Sequence, residues 1–152
     1  MEIERKYLIN PSKLPSNYQE YPKRIIEQGY LCNHPVVRIR RDDNNYYLTY
    51  KGEGMLVREE FNHPLTQVSY LHLLPKIDGN LIQKIRYEIP YQDQIIELDV
   101  FKGSHAPLIL AEVEFETIKQ ADSFEPPLWF GSEVTYNEHY SNSYMASNLI
   151  TE

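Results

Sequence analysis

Residues 1–9, "MEIERKYLI", indicate the fold of this chain and the chemistry of one of its faces. If the segment is an extended strand, its side chains alternate between two faces. Three charged residues then share one face: Glu2, Glu4 and Lys6. Three apolar or aromatic residues lie mostly on the other: Ile3, Tyr7 and Ile9. One solvent-facing strand of an antiparallel sheet has the same pattern, so the other strands are needed to interpret it.

The same alternation recurs in about eight stretches that we predict as strands. They span residues 2–9, 24–31, 36–41, 46–51, 56–62, 81–89, 94–101 and 108–116. Turn-forming sequences separate many of them, including "KIDGN" at 76–80. Helical periodicity is weaker and is found at 65–74, 117–124 and 139–150. Many strands with few crossover helices predict an α+β, mainly β protein whose antiparallel sheet closes into a barrel.

One face of nearly every predicted strand is charged. Arg38 and Arg40 share a face of one strand, and Lys84 and Arg86 share a face of another. Solvent-facing strands usually mix neutral polar residues with lysine, and like charges at adjacent same-face positions repel each other. We therefore expect a barrel with a charged interior and an apolar exterior covered by helices. Such a barrel needs an occupant.

The inward charges indicate what that occupant is. A first set is acidic: Glu2, Glu4, Asp99, Glu112 and Glu114. If these carboxylates converge, they cannot all stay ionised without a cation, and oxygen ligands favour Mg²⁺ or Mn²⁺ over Zn²⁺. A second set is basic: Lys6, Arg38, Arg40, Lys51, Arg58, Lys84 and Arg86. A chain of phosphates bridged to a divalent ion satisfies both sets.

Composition restricts the number of domains, the binding partners and the cellular location that we expect. The 152 residues predict one domain over 1–152, and the net charge of −7 argues against binding to nucleic acid or an anionic membrane. Residues 1–60 carry 10 of the 15 Lys and Arg residues, whereas residues 88–152 carry 12 of the 22 acids. Cys32 is the only cysteine, and no apolar run or signal peptide is evident. A cytoplasmic location is therefore expected.

A family resemblance rests on short motifs that extend across the chain. They are "EIERK" at 2–6, "VVRIRR" at 36–41, "LTYKGEG" at 48–54, "VREEF" at 57–61, "IQKIRY" at 82–87, "IELDVF" at 96–101, "LAEVEF" at 110–115 and "WFGSEVT" at 129–135. In this order they resemble the CYTH superfamily, the triphosphate tunnel metalloenzymes. The resemblance implies an eight-stranded antiparallel closed tunnel that binds a triphosphate along its axis.

The resemblance also implies a site. Its metal ligands are expected to be Glu2, Glu4, Glu60, Asp99, Glu112 and Glu114. The substrate-binding residues are expected to be Lys6, Arg38, Arg40, Lys51, Arg58, Lys84 and Arg86. Either Lys6 or Lys84 is expected to orient the attacking water or to stabilise the leaving oxygen. The roles of Tyr30, Glu88, Glu97 and Glu116 are left open.

We predict metal-dependent hydrolysis of a triphosphate, with inorganic tripolyphosphate as the leading substrate. Within the family, the alternatives are a nucleoside or thiamine triphosphatase and an adenylate cyclase. A non-catalytic sensor of polyphosphate or nucleotide is the alternative of a different class. The sequence leaves open the physiological triphosphate, the preferred metal and the oligomeric state, for which a homodimer is one option.

Overall fold

Nine strands form one antiparallel sheet in the computed structural model, which describes residues 2–54 and 56–148. Their bounds are β1 Glu2–Leu8, β2 Lys23–Asn33, β3 Val36–Asp42, β4 Asn45–Lys51, β5 Val57–Arg58, β6 Glu60–Leu65, β7 Asp78–Tyr91, β8 Gln94–Lys102 and β9 Ile109–Glu114. The strand order is β5-β1-β9-β8-β7-β2-β3-β4-β6.

The two edges of this sheet are consecutive in sequence. Strand β5 pairs with β1, whereas β6 pairs with β4, and Glu59 alone separates β5 from β6. The chain therefore joins both edges and nearly closes the sheet into a barrel. The predicted closed antiparallel barrel is confirmed with one difference, because the predicted strand 56–62 is divided at Glu59. The division is needed because one strand changes partner from β1 to β4.

The main hydrophobic core lies outside the barrel wall. It contains the outward-facing residues of β1, β7, β8 and β9, among them Ile3, Tyr7, Ile89, Leu98 and Val113. Helix α2 (Ile118–Ser123) covers them, and its first turn is fixed by a capping box between Thr117 and Gln120. Phe124 and Phe130 continue the cover, with ring centroids 6.2 and 4.8 Å from that of Tyr7. The apolar face is thus buried on the outside, which leaves the charged face for the interior.

Helix α1 (Gln67–Leu73) covers the outside of β3 and β4. Thr66 caps it, because its side-chain oxygen accepts a hydrogen bond from the amide of Ser69. Tyr70 is buried and donates from its hydroxyl to Glu27 at 2.9 Å. The prediction of helix at 65–74 is therefore confirmed apart from its ends.

Helix α3 (Asn142–Ser147) packs against β7 and β2. Met145 and Ala146 are fully buried there against Tyr30, Ile82 and Phe101. A short 3₁₀ turn, Glu138–Tyr140, precedes the helix. The predicted helix at 139–150 is therefore shorter within the described residues, and residues 149 and 150 lie outside them.

The turn predicted at 76–80 is wrong, because β7 already begins at Asp78. Gly79 has a φ of +71°, and a Cβ atom there would lie 2.3 Å from the carbonyl oxygen of Ala146. Glycine is required here for close contact between the strand and α3, which explains a turn-like sequence inside a strand. In the part of the chain that the structure describes, no helix has the length and apolar character to cross a membrane.

Candidate active site

The barrel encloses a cavity of about 110 Å³ whose wall is predominantly charged. Eleven of the thirteen residues predicted for the site line it: Glu2, Glu4, Lys6, Arg38, Arg40, Lys51, Arg58, Glu60, Arg86, Glu112 and Glu114. Their convergence follows from strand register, because Glu4 lies opposite Glu114 and Lys6 lies opposite Glu112 across β1 and β9. The period-2 alternation then points these side chains inward together.

Two predicted residues, Lys84 and Asp99, do not line the cavity but lie behind its wall. Both side chains are fully buried, and Lys84 Nζ is 2.7 Å from Asp99 Oδ2. Arg86 donates two hydrogen bonds to the same carboxylate, at 2.7 and 2.9 Å. Burial alone would raise the pKa of Asp99, but Arg86 and Lys84 outweigh burial and lower it. Asp99 is therefore an ionised counter-charge for two cations.

Burial also affects Lys84 directly. It lowers the pKa of Lys84 to about 8, although the Asp99 carboxylate opposes the change. The lysine is held against Asp99 and does not reach the cavity surface. Of the two lysines predicted to assist catalysis, Lys6 is the one that lines the cavity.

Lys6 and Glu112 form a second compensated group. Lys6 Nζ lies 3.6 Å from Glu112 Oε1, and Arg86 Nη2 lies 3.7 Å from the other oxygen of Glu112. Burial alone would raise the pKa of Glu112, but Lys6 and Arg86 outweigh it and hold the pKa well below its usual range. Lys6 also donates to the carbonyl oxygen of Tyr140 at 3.1 Å. The ammonium therefore has a fixed position in the wall.

A third compensated group surrounds Glu2. Lys51 Nζ lies 3.2 Å from Glu2 and 3.4 Å from Glu60, and Arg58 Nε lies 3.1 Å from Glu2. Burial would raise the pKa of Glu60, but hydrogen bonding with Glu2 and the charge of Lys51 lower it to about 2. Glu60 is therefore ionised beside Lys51, and Glu2 is shared between Lys51 and Arg58.

Arg38 and Arg40 differ from the other cavity cations. Within residues 2–54 and 56–148, neither guanidinium has a carboxylate oxygen within 4.0 Å in an ion pair. Arg38 donates to the Thr49 hydroxyl at 3.1 Å, and Arg40 donates to the Gln28 amide oxygen at 2.7 Å. The Nε of Arg38 is buried without a hydrogen-bond partner among the described residues. Burial, followed by the charge of Arg38, lowers the pKa of Arg40 to about 9. This part of the wall therefore lacks an anion.

Glu114 and Glu4 are cavity carboxylates that lack a close cation. Glu114 forms no ion pair with the described residues, and the nearest cation to Glu4 is Arg58 at 3.9 Å. Burial, Glu112 and Glu2 raise the pKa of Glu4 to about 7, and partial burial together with Glu2 raises the pKa of Glu114, which is exposed at the rim of the cavity. Carboxylates that crowd one another in this way are suited to a cation.

The donor set consists of oxygen atoms, which suit a hard divalent ion. No three histidine, cysteine or carboxylate side chains of the described residues form a ready-made metal site. Mg²⁺ is usually held by one or two carboxylates, with phosphate oxygens and water completing its shell. Glu4 and Glu114, side by side across β1 and β9, match that use.

A second cavity, of about 150 Å³, adjoins the first. The two share several wall residues, including Lys6, Lys51 and Arg58. The remaining wall of the second cavity comes mostly from loops and turns and carries four polar side chains, two glycines and two glutamates: Asn33, His34, Gly52, Glu53, Gly54, Thr135, Asn137 and Glu138. The protein therefore has a second cavity directly beside the charged one.

The residues left open by the sequence are now placed. Tyr30 and Glu97 line the charged cavity, whereas Glu88 and Glu116 line only a surface depression beside it, whose wall also includes Glu97 and Glu114. Besides Val36, three polar lining residues were missed by sequence reasoning: Ser141, Asn142 and Ser143. They lie in no charged or alternating pattern, so the sequence carried no signal for them.

The fold and the cavity define the class of this protein as a tunnel-type β-barrel with a charged interior. The CYTH domain family matches residues 1–143, and the chain belongs to that family. An inorganic triphosphatase of Nitrosomonas europaea is 37% identical over 97% of this chain and 98% of its own length. An inorganic triphosphatase of Acetivibrio thermocellus is 28% identical over 97% and 94% of the two chains.

A solved structure agrees with these sequence matches. The crystal structure of the inorganic triphosphatase NE1496 superposes with a TM-score of 0.72 at 35% identity, covering 98% of this chain and 96% of that one. The sequence motifs indicated the CYTH superfamily, and this assignment is therefore confirmed.

Proposed function

We propose that this protein is a divalent-metal-dependent triphosphatase that hydrolyses inorganic tripolyphosphate to pyrophosphate and phosphate. The observation that carries the proposal is the pair Arg38 and Arg40, two cavity cations with no carboxylate partner among the described residues. A polyanion supplies the missing charge, and its binding offsets the repulsion that lowers the pKa of Arg40. The relatives named inorganic triphosphatases support the same substrate.

The wall residues are sufficient for the chemistry. Phosphoryl transfer depends mainly on positioning and on stabilising charge at the phosphate oxygens. Arg38 and Arg40 bind these oxygens, and the ammonium of Lys6 stabilises the leaving oxygen or orients the attacking water. Lys84, the other predicted lysine, acts in this proposal through Asp99 by holding Arg86 in place.

The family is that of the triphosphate tunnel metalloenzymes, and a metal ion is part of the proposed chemistry. Glu4 and Glu114 would hold it, with Glu2, Glu60 and Glu112 nearby and Asp99 behind the wall. When bound, a divalent ion neutralises phosphate charge and lowers the pKa of a coordinated water. We propose Mg²⁺ or Mn²⁺, because the ligands are all oxygen atoms.

The adjoining cavity favours a second candidate function. Beyond the charged residues that it shares with the first cavity, it has space for an organic substituent on the triphosphate, as in nucleoside or thiamine triphosphates. An adenylate cyclase and a non-catalytic sensor remain alternatives, which the assay below separates.

The experiment is a phosphate-release panel with Mg²⁺, Mn²⁺ or EDTA. The substrates are tripolyphosphate, pyrophosphate, ATP and thiamine triphosphate, and cyclic AMP is measured in the ATP reaction. We expect metal-dependent release from tripolyphosphate with the highest kcat/KM. A higher value for ATP or thiamine triphosphate would select the second candidate, cyclic AMP would indicate a cyclase, and tight binding without turnover would indicate a sensor. We also propose that the protein is cytoplasmic, that its substrate is a small molecule, and that it binds neither nucleic acid nor a membrane.

A further inference from the structure

We propose that Gln28 and Thr49 are positioning residues for triphosphate binding, each of which holds one cavity guanidinium through a neutral acceptor and leaves its charge for the substrate. The proposal rests on the proposed function, because it names the residues that present Arg38 and Arg40 to the same triphosphate. Gln28 and Thr49 are fully buried and do not line the cavity themselves, so they act through the two arginines.

Gln28 holds Arg40 in the position that a carboxylate has beside Arg86. Arg40 Nε donates to Gln28 Oε1 at 2.7 Å. Arg86 Nε donates to Asp99 Oδ1 at the same distance. In each pair the acceptor lies directly opposite the arginine on a neighbouring strand. The distance and the cross-strand position agree and the charge of the acceptor differs, so the amide of Gln28 fixes an arginine without neutralising it.

Thr49 has the same relation to Arg38. It lies directly opposite Arg38 on β4, and its hydroxyl oxygen accepts a hydrogen bond from Arg38 Nη2 at 3.1 Å. The hydroxyl hydrogen is directed away from the guanidinium, because Thr49 donates it to Asn62 Oδ1. Asn62 in turn donates to Glu60 at 2.9 Å. This chain of hydrogen bonds fixes the threonine oxygen as the acceptor that faces Arg38.

The orientation of the Gln28 amide is determined by its partner. A guanidinium carries only donors, so the atom that faces Arg40 Nε must be the amide oxygen. The amide nitrogen is directed to the Tyr30 hydroxyl, at 3.5 Å. Because Gln28 has no exposed surface, water cannot replace its oxygen as the acceptor. Loss of the amide would therefore leave a guanidinium donor unpaired.

Neutral acceptors at these two positions serve the binding of a polyanion. A guanidinium that is already fixed loses less side-chain entropy when phosphate binds. A carboxylate in place of either acceptor would compete with phosphate for the same cation. The charge of Arg38 and burial lower the pKa of Arg40 to about 9, with burial as the larger cause, and no carboxylate of the described residues pairs with Arg40 to oppose them. Gln28 and Thr49 thus combine a fixed position with an uncompensated charge.

Two substitutions of Gln28 separate its two properties. Gln28→Met keeps the length of the side chain and removes the acceptor, so we expect the KM for tripolyphosphate to rise about fivefold and the Tm of the free protein to fall. Gln28→Glu keeps the acceptor and adds a charge, so we expect the KM to rise at least about tenfold while the Tm does not fall, because the carboxylate pairs with a buried cation. A purely structural amide would make the KM follow the loss of Tm. A wild-type KM in either folded variant, or a lower Tm in Gln28→Glu, would overturn the role of Gln28.

Substitutions of Thr49 test the second acceptor, also if Gln28→Met does not fold. Thr49→Val keeps the shape of the side chain and removes the hydroxyl, and the KM should rise about fivefold. Thr49→Ser keeps the hydroxyl and removes the methyl group, and it should recover most of that loss. Packing alone would give the opposite order, because valine fills the site and serine does not. A KM in Thr49→Val that is no higher than in Thr49→Ser would overturn the role of Thr49.

Gln83→Glu is the matched control. Gln83 lies on β7, is exposed and does not line the cavity. The same chemical change there should leave the KM within about twofold of wild type, since exposed charges are screened by solvent and salt. A rise as large as that of Gln28→Glu would mean that the added charge acts through the net charge of the protein, which would overturn the proposal.

Failure of the proposed function is distinguishable from failure of this proposal. A wild-type protein that releases no phosphate from tripolyphosphate contradicts the proposed function. The rise in Tm that tripolyphosphate causes in EDTA then tests the positioning role, because it measures binding without turnover. The rise should be smaller in Gln28→Glu than in wild type. An equal rise in both, or no rise in wild type, would overturn the proposal.

Discussion

Two groups of cations in the barrel are compensated differently. In the β7–β8 group, Lys84 and Arg86 share the carboxylate of Asp99 at 2.7–2.9 Å, in a position that solvent does not reach. In the β3 group, Arg38 and Arg40 contact only neutral side chains among the described residues. The first group balances its charges within the protein, whereas the second lacks a counter-charge.

The difference separates structural charges from ligand-binding charges. A buried ion pair is costly to break, because removing one partner leaves an uncompensated charge. An uncompensated cation in a cavity is instead relieved by an incoming anion, and the unpaired carboxylate Glu114 is relieved by an incoming cation. The comparison therefore assigns stability to Asp99 and binding to Arg40 and Glu114, an assignment that four substitutions test.

The largest effect is expected for Asp99→Asn. The substitution leaves the buried cations Lys84 and Arg86 without their shared carboxylate, so the free energy of unfolding should fall by about 3–5 kcal/mol. Urea unfolding measures the loss. Glu88→Gln is the control, because Glu88 pairs with Arg24 near the surface and its side chain is 40% exposed; its loss should be below about 1 kcal/mol. Equal, small losses would mean that the β7–β8 group is not structural.

A large effect on activity, with little effect on stability, is expected for Glu114→Gln. Glu114 is a candidate metal ligand without a cation partner among the described residues, so its neutralisation should lower kcat/KM for tripolyphosphate about a hundredfold at ordinary Mg²⁺ concentrations. Higher Mg²⁺ should restore part of the activity. Glu116→Gln changes an exposed acid two residues further on, outside the cavity, and should be neutral. Wild-type turnover in a folded Glu114→Gln protein would contradict the metal assignment.

A smaller effect is expected for Arg40→Met. Loss of one uncompensated guanidinium should raise the KM for tripolyphosphate about tenfold, equivalent to about 1.4 kcal/mol. Because the substitution also removes repulsion from Arg38, the Tm of the free protein should not fall. Arg41→Met is the control, since Arg41 lies on the opposite face of β3 and is itself exposed. A decrease in Tm without a change in KM would place Arg40 with the structural charges.

The smallest effect concerns pH and Glu4. The pKa of Glu4 is raised from 4.5 to about 7, so the folded protein holds this proton more tightly than the unfolded chain. The stability contribution of the carboxyl group is therefore lost as pH rises between 4.5 and 7. In EDTA, Glu4→Gln should match wild type near pH 4.5 and be more stable by at least about 1 kcal/mol at pH 8. Urea unfolding at several pH values gives the difference, and a constant difference would show that Glu4 is not crowded by other carboxylates.

The alternation of charged and apolar residues was sufficient to predict most of the fold. It identified the strands around Glu2, Arg38, Lys84 and Glu112, because each has one face that is incompatible with a hydrophobic core. The split of 56–62 at Glu59 was not predictable, since it depends on which strands form the edges of the sheet. The strand at Gly79 was also missed, because the glycine is required by a contact with α3, which is distant in sequence.

For the site, the sequence by itself determined which charges face inward, since side-chain alternation is a local property of an extended chain. Only the tertiary structure decided which of those charges are paired. It placed Asp99 and Lys84 behind the wall, left Arg38, Arg40 and Glu114 without counter-charges among the described residues, and brought Asn142 from the C-terminal region into the cavity. Ion pairing depends on distances of a few ångströms between strands far apart in sequence, and the register of the closed barrel sets those distances.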